Sequence, residues 1–578
     1  MKYRWIENPE ASADLVSKGE QFNLTPIQLQ IFSSRQLLKD EDLELYINGS
    51  FEPSTVDDLK LMKDLDKAVN RITEALTSSE RIVIYGDYDV DGITSSALLY
   101  QFFQVYAYFR KVKLDVFTLL PERLRDGYGL KKAGIDRALE LEANLIITVD
   151  NGISSNEAIE YAGQSDVDVI VIDHHRVPDP PPPAYAIVNP RQKDCLYPYK
   201  GFSAVGLVYK ITDALAANLL SDDERIRFLE RYIDLVAIGT YQDMSPLTGE
   251  NRLLVKKGIE VIDSLRQSKE TNLKGINELL RVTGRINEKV NHETLGFSIG
   301  PMINASGRIS SPVKAFNLLT TRNHDEAREL ALELKSINDR RRELTSAAFE
   351  EALKIIDQQG LDQNAVILLQ SDKWHQGIIG LIAQRVGDYY KRSCIAMSNY
   401  KSKYYTGSAR GFGSFDMGGL IKDLKEHFIY HGGHKKAAGF SIEVEKVDTF
   451  TKALYNKSNE WDEVESVSDL MIDASIEAKD VCDKLVKEIS LFEPFGEANP
   501  EPIFGLYNVK IVDIKRSKRG LDSLISVSQN DVALNLVAFN ETTYLDDFSP
   551  GEEVDVAMYL NSNRGMTGGR IIDMKRNQ

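Results

Sequence analysis

Residues 81–92, RIVIYGDYDVDG, constrain this chain more than any other stretch. A short apolar run ends at Gly86, and Asp87, Asp89 and Asp91 then alternate with Tyr88 and Val90. Three carboxylates so close together repel one another. Folded away from water they raise each other's pKa and cost several kcal/mol unless a positive charge sits between them. A hard divalent cation is the simplest such charge, because Mg²⁺ and Mn²⁺ take oxygen ligands. A solvated acidic turn after an edge strand is the competing reading of the same run.

The following residues separate the two readings. Residues 93–109 are apolar nearly all round and long enough for a helix, giving strand, acidic turn and buried helix. Residues 144–149 form a second β-branched run that ends in Asp150-Asn151-Gly152. A third, 167–172, ends in Asp173-His174-His175, with a helical span at 155–162 between them. Strands alternating with helices predict a mainly parallel sheet, with ligands in the crevice at the carboxyl ends of its strands. Three acidic clusters on one such edge, one bearing adjacent histidines, favour a metal site over three unrelated turns. Neighbours on a strand end point in different directions. One of His174 and His175 is therefore expected to be a ligand and the other a supporting or phosphate-contacting group. Asp243, after the apolar stretch 232–239, is a further carboxylate at the end of a buried element, where a helix cap or turn residue is the usual role.

A chain of 578 residues is too long for one core. Its punctuation predicts a helical preface over 1–55, an α/β lobe over 56–322, a connecting helix over 323–359, a second α/β lobe over 360–465 and a small barrel over 466–578. An amphipathic helix is expected over 56–76 from apolar residues spaced by three and four. The barrel is read from short strands at 503–507, 509–514, 523–527, 533–538, 553–558 and 570–574. Lys515, Arg516, Lys518, Arg519, Arg564 and Arg570 would give it a basic groove, with Tyr507 and Phe539 as stacking candidates. Arg340, Arg341 and Arg342 on the connecting helix either line a cleft or face solvent. Trp374-His375-Gln376-Gly377 before a helix is expected to offer free N–H groups to a phosphate, and Gly432-Gly433 before His434 to let backbone approach a ligand closely.

The net charge of −17 counts only weakly against a nucleic-acid partner, since local basic clusters decide binding. Cys195, Cys394 and Cys482 are too few and too scattered for a disulfide framework or a cysteine zinc site. The N-terminus lacks the build of a signal peptide and no apolar run reaches membrane-spanning length, so a cytoplasmic location is expected, with no membrane partner.

In order along the chain, GDYDVDG, VDNG, DHH and GT with Asp243 resemble the motif set of the DHH phosphoesterase superfamily. So do GPMINASGR, WHQG, GSAR, GGH with AAG, and EPFG with NP. The wording is similar to the branch that digests single-stranded DNA from the 5′ end, and it covers nearly the whole chain after about Asp57. The resemblance implies a DHH domain, a DHH-associated domain and a C-terminal OB-fold. It also implies two divalent ions, Mn²⁺ or Mg²⁺: one on Asp91, Asp150, His174 and Asp243, the other on Asp89 and Asp150, with Asp87 as a further ligand. His175 would steady the phosphate or the attacking water. Asn304, Arg308, His375, Ser408, Arg410, Gly432, Gly433 and His434 would contact the nucleic acid. The implied activity is two-metal hydrolysis of phosphodiesters to 5′-mononucleotides in DNA repair and recombination. The chain is expected to act as a monomer, with unwinding left to a separate helicase and strand protection to a single-strand-binding protein, since no Walker A pattern occurs. A small-substrate phosphoesterase and a non-catalytic DNA-binding subunit are the alternatives. Two departures stand out: Met302 where the family has arginine, and Thr240-Tyr241-Gln242-Asp243 where it more often has TIAD.

Overall fold

The computed structural model describes residues 3–7, 13–37, 39–127, 129–268, 274–460, 468–517, 522–539, 545, 547–563 and 566–577. The chain divides into two units, Phe51–Val464 and a second made of Met1–Ser50 with Glu465–Gln578.

In the first unit the expected parallel sheet has five strands in the order Val116–Leu119, Ile82–Tyr85, Leu145–Val149, Asp168–Ile172, Ala186–Val188. The chain leaves Ile82–Tyr85 towards one neighbour and returns on its other side. A switch point therefore lies between Ile82–Tyr85 and Leu145–Val149, where such sheets open a crevice. Asp87–Asp91 and Asp150 follow these two strands directly.

The helix after the acidic run spans Val90–Arg110, and its cap is Asp89, whose side chain accepts from the Gly92 N–H at 3.1 Å. Asp91 therefore sits in the first helical turn, where backbone dipoles favour negative charge. The helix expected over 56–76 is instead two, Val56–Lys60 and Leu65–Thr77, interrupted where Asp64 adopts φ 60°. The cause is tertiary: the Asp64 carboxylate accepts from the Ile187 N–H of the sheet's edge strand at 3.1 Å.

The connecting helix spans His324–Gln359 and ends in a left-handed Gly360. Beyond it a second, mixed sheet runs Tyr430–His434, Ala437–Glu443, Tyr404–Arg410, Ser393–Ser398, Val366–Gln370. In Ala437–Glu443, Ala438, Phe440 and Ile442 are buried while Ala437, Gly439 and Ser441 face the other way.

In the second unit, Phe504–Arg516, Asp522–Gln529, Val532–Phe539, Met566–Arg576 and Glu553–Asn563 pair in that order, and the last pairs back to the first, closing a barrel. The runs 503–507 and 509–514 are one strand, bent where its register shifts between Leu506 and Val509. Tyr3–Glu7 pairs in parallel with Ser468–Ile472. Trp5 donates to Asp573 at 2.9 Å and packs edge-on against Tyr507, so Tyr507 belongs to this packing rather than to an open groove. Arg570 is paired with Glu501 at 3.1 Å. Lys518, Arg519 and Arg564 lie outside the described residues. Among the described residues no helix is long and apolar enough to cross a membrane.

Candidate metal centre and nucleic-acid cleft

Four elements bring the acidic residues together, and each is held by its own local geometry. Asp150 leaves its strand in the left-handed region, φ 63°, and Gly152 follows at φ 104°. A side chain on Gly152 would collide with Thr148 Oγ1, so Asp-Asn-Gly is the composition this tight turn requires. Asp91 is fixed from the opposite side: its two oxygens accept the Ala204 and Val205 N–H groups at 2.7 and 2.9 Å. These open the helix Ala204–Leu219, whose cap Ser203 hydrogen-bonds Thr240 at 2.7 Å. Gly239 lets the helices meet there, since a Cβ would strike Thr94 and Val205. Asp243 ends the helix Asp222–Gln242 and accepts from Ser245 at 2.5 Å.

His174 occupies the centre. Its Nε2 lies 3.3 Å from Asp150 Oδ1 and 4.0 Å from Asp91 Oδ2, and its Nδ1 lies 3.8 Å from Asp243 Oδ2. Potential ligand atoms fall into three sets: Asp91, His174 and Asp243; Asp87, Asp89 and Asp150; and Asp150, His174 and His175. Asp87 Oδ1, Asp150 Oδ1 and His174 Nε2 are buried with no hydrogen-bond partner among the described residues. Burial first, and neighbouring carboxylates second, push Asp87, Asp91 and Asp150 well above the ordinary aspartate range. Burial also raises Asp243. Orphaned acceptors beside crowded carboxylates fit a hard divalent cation.

His175 differs from its neighbour. Its Nδ1 is 2.6 Å from Asp173 Oδ1, and Asp173 is fixed by the N–H groups of Ile153 and His175, each at 3.1 Å. Burial works against its charged form, but the Asp173 carboxylate prevails and carries the imidazole up to about 9. A protonated ring is a poor ligand and a good partner for a phosphate oxygen.

Opposite the acids lies a cationic set only partly visible in the sequence. Asn304 and Arg308 stand one turn apart on the helix Gly300–Ile309. Burial, and then repulsion from Arg123, Arg341 and Arg410, lowers the Arg308 guanidinium to about 10. Arg123 lies over the Tyr88 ring at 4.1 Å, and the Nε atoms of Arg123 and Arg341 are buried without a partner among the described residues. Sequence reasoning missed Arg123 and gave Arg341 no preference over its neighbours. Arg340 pairs with Glu343 at 3.2 Å. Arg410 donates to Ser408 Oγ at 3.1 Å.

The Gly377 N–H after His375 is not left for a ligand: the His375 Nδ1 accepts it at 3.1 Å. Gly377 serves close approach instead, because a Cβ there would lie 1.8 Å from the Arg308 carbonyl oxygen. Burial, then the Lys401 and Arg123 charges, keep the His375 imidazole below its usual value. Met302 is buried in the core, and Gln242 donates to the Leu295 carbonyl at 2.8 Å, so both departures from the family pattern are packed. A cleft of about 1240 Å³ includes Asp173, His175 and Arg176 and, on the second sheet, Ser408, Arg410, Gly432, Gly433 and His434.

Comparison with known proteins agrees with this architecture. Residues 81–240 match the DHH family N-terminal domain, 362–460 the DHHA1 domain and 472–570 the RecJ OB domain. The single-stranded-DNA-specific exonuclease RecJ of Bacillus subtilis is 31% identical over 97% of this chain and 69% of its own length. That of Escherichia coli is 30% identical over 95% of each. The crystal structure of Thermus thermophilus RecJ in complex with Mn²⁺ superposes with a TM-score of 0.82 over all of this chain and 80% of its own, at 24% identity. A structure of exonuclease RecJ bound to manganese reaches 0.59 at 28% identity, over 70% of this chain and 97% of its own. With 30–31% of its residues shared along almost its whole length, and all three domains matched in order, the chain belongs to the RecJ family of the DHH superfamily.

Proposed function

We propose that this chain is a single-strand-specific DNA exonuclease that hydrolyses phosphodiesters from the 5′ end and releases 5′-mononucleotides, in DNA repair and recombination. The observation that carries the reading is one unit holding both a buried carboxylate cluster, in which Asp87 Oδ1 and Asp150 Oδ1 have no hydrogen-bond partner among the described residues, and a crowded guanidinium set, in which the Nε atoms of Arg123 and Arg341 have none. The first needs cations and the second needs anions, and a metal-loaded phosphodiester supplies both.

Asp91, Asp150, His174 and Asp243 would hold one ion and Asp87, Asp89 and Asp150 the other, as Mn²⁺ or Mg²⁺. When bound, such a pair activates water and stabilises the leaving oxygen of an in-line displacement. The chain's own residues do the remaining work. Asp173 orients His175 and keeps its proton, so that the ring holds a phosphate oxygen. Arg308, Ser408 and Arg410, with Asn304, His375 and His434, neutralise and position the backbone, and Gly432 and Gly433 leave room for it. The cleft exceeds the usual ~300–1,000 Å³ of a small-ligand pocket, which favours a polymer over a dinucleotide. The reading brings with it a cytoplasmic monomer acting on strands opened by a helicase and coated by a single-strand-binding protein.

The test is digestion of single-stranded DNA labelled separately at each end, with Mn²⁺ or Mg²⁺, by wild type and Asp150→Ala. Immediate release of 5′-labelled mononucleotide by wild type alone is expected. Intact single strands alongside cleavage of a dinucleotide would overturn the reading in favour of a small-substrate phosphoesterase.

A further inference from the structure

Three strands of the second sheet place their alternate residues in rows on the face turned to the cleft. Arg410, Ala437 and His434 form one row, Ser408, Gly439 and Gly432 the next, and Thr406, Ser441 and Tyr430 the third. Cross-strand partners share a face, so the middle row is a strip almost without side chains, bordered by Arg410 and His434 on one side and by Tyr430 on the other. Tyr430 lines the cleft, yet 61% of it is exposed on an ordered strand. Its ring leans over the strip: a Cβ built on Gly432 would meet the Tyr430 Oη at 3.4 Å. Burial does not explain an aromatic ring held open beside a bare strip and a phosphate-binding row.

We propose that Tyr430 is a stacking platform for a nucleobase among the first three nucleotides of the bound strand, whose phosphate lies on Ser408 and Arg410. A phosphate on that row directs its sugar and base across the glycine strip, where the exposed ring offers a π-face of the kind single-strand binders use irrespective of sequence. The inference rests on the exonuclease reading for its ligand and assigns a contact that reading lacks.

The test is equilibrium binding in EDTA, by fluorescence anisotropy, of a 5′-phosphorylated, 3′-labelled oligothymidylate, intact or with an abasic site at position 1, 2 or 3. Tyr430→Leu is expected to weaken binding of the intact probe by about 5- to 100-fold, and Tyr430→Phe by no more than about twofold. At one abasic position wild type should lose the same factor, and Tyr430→Leu nothing further. Equal weakening of every probe by the leucine variant, or none, overturns the proposal. Digestion with Mn²⁺ separates the two readings. Binding and coupling without cleavage leave the stacking and remove the exonuclease. Cleavage without coupling removes the stacking alone, and a wild type that binds no probe removes both.

Discussion

The acidic wall and the cationic wall of the first unit are built in opposite ways. The acidic wall draws Asp87, Asp89 and Asp91 from one short run and Asp150, His174 and Asp243 from the ends of two strands and a helix. The cationic wall collects Arg123 from a loop, Arg308 from a short helix, Arg341 from the long helix and Arg410 from a strand. Each wall crowds charges of one sign. The walls relieve each other in part, since Arg123 lowers Asp87 and Asp89 raises Arg308, and a ligand of the other sign relieves each further, so stability is sacrificed for binding on both sides.

The largest effect should come from breaking the acidic wall. Asp150→Asn should lower nuclease turnover by ~10³-fold or more, on the scale of losing a group that acts within a cooperating set. In EDTA the same change should raise the melting temperature by a few degrees, because one of the mutually repelling buried carboxylates is gone. Added Mn²⁺ should stabilise wild type and leave the variant nearly unmoved. A variant that melts lower than wild type in EDTA would show that the acids are not strained against one another.

Next comes the register between the walls. Gly377→Ala would press a methyl group against the Arg308 carbonyl, shifting the cationic wall without touching an acid. Displacement of about 1 Å can cost ~10² in rate. Activity should fall on that scale while stabilisation by Mn²⁺ survives, and loss of the Mn²⁺ response would mean the walls are not separable. Smaller again is the removal of one cation. Arg123→Ala should weaken single-strand binding by about tenfold and reduce the slope of log affinity against log salt by about 0.7, as expected for one phosphate contact. An unchanged slope would place Arg123 outside the phosphate path.

The same contrast explains what was legible in the sequence. Asp87, Asp89 and Asp91 announce themselves because repulsion within one short loop demands a cause. The parallel sheet follows from β-branched runs alternating with helical spans, and the long helix from its spaced apolar row. Arg123 gave no such signal, and Arg341 none that set it apart from Arg340 and Arg342, since an arginine in a polar stretch looks solvated and only tertiary packing aligns the four. The break at Asp64 was hidden for the same reason, its partner Ile187 being far away in sequence. The pairing of Tyr3–Glu7 with Ser468–Ile472 joins opposite ends of the chain, which periodicity cannot register. The strand Tyr430–His434 was masked by glycines that periodicity scores as loop.

The last effect is on stability rather than on activity or binding, and concerns a carboxyl outside both walls. Asp234 is buried in the helix Asp222–Gln242, its Oδ1 has no partner among the described residues, and burial raises its pKa to about 7. Folded, it keeps a proton that the unfolded chain releases near the ordinary value of 3.8. Stability from this group is therefore unimpaired below about pH 4, declines as the pH rises to about 7 and is constant above that. At about 1.36 kcal/mol per pKa unit the loss is of order a few kcal/mol. Asp234→Asn keeps the shape and removes the titration, so its gain over wild type should be small at pH 4, grow through pH 5 and 6 and level off by pH 8. Chemical denaturation in EDTA at those four pH values measures it directly, and a difference that stays constant across them would show that folding leaves the Asp234 pKa unshifted. Because Asp234 belongs to neither wall, the Mn²⁺ response of the variant should match wild type, which marks this strain as a property of packing alone.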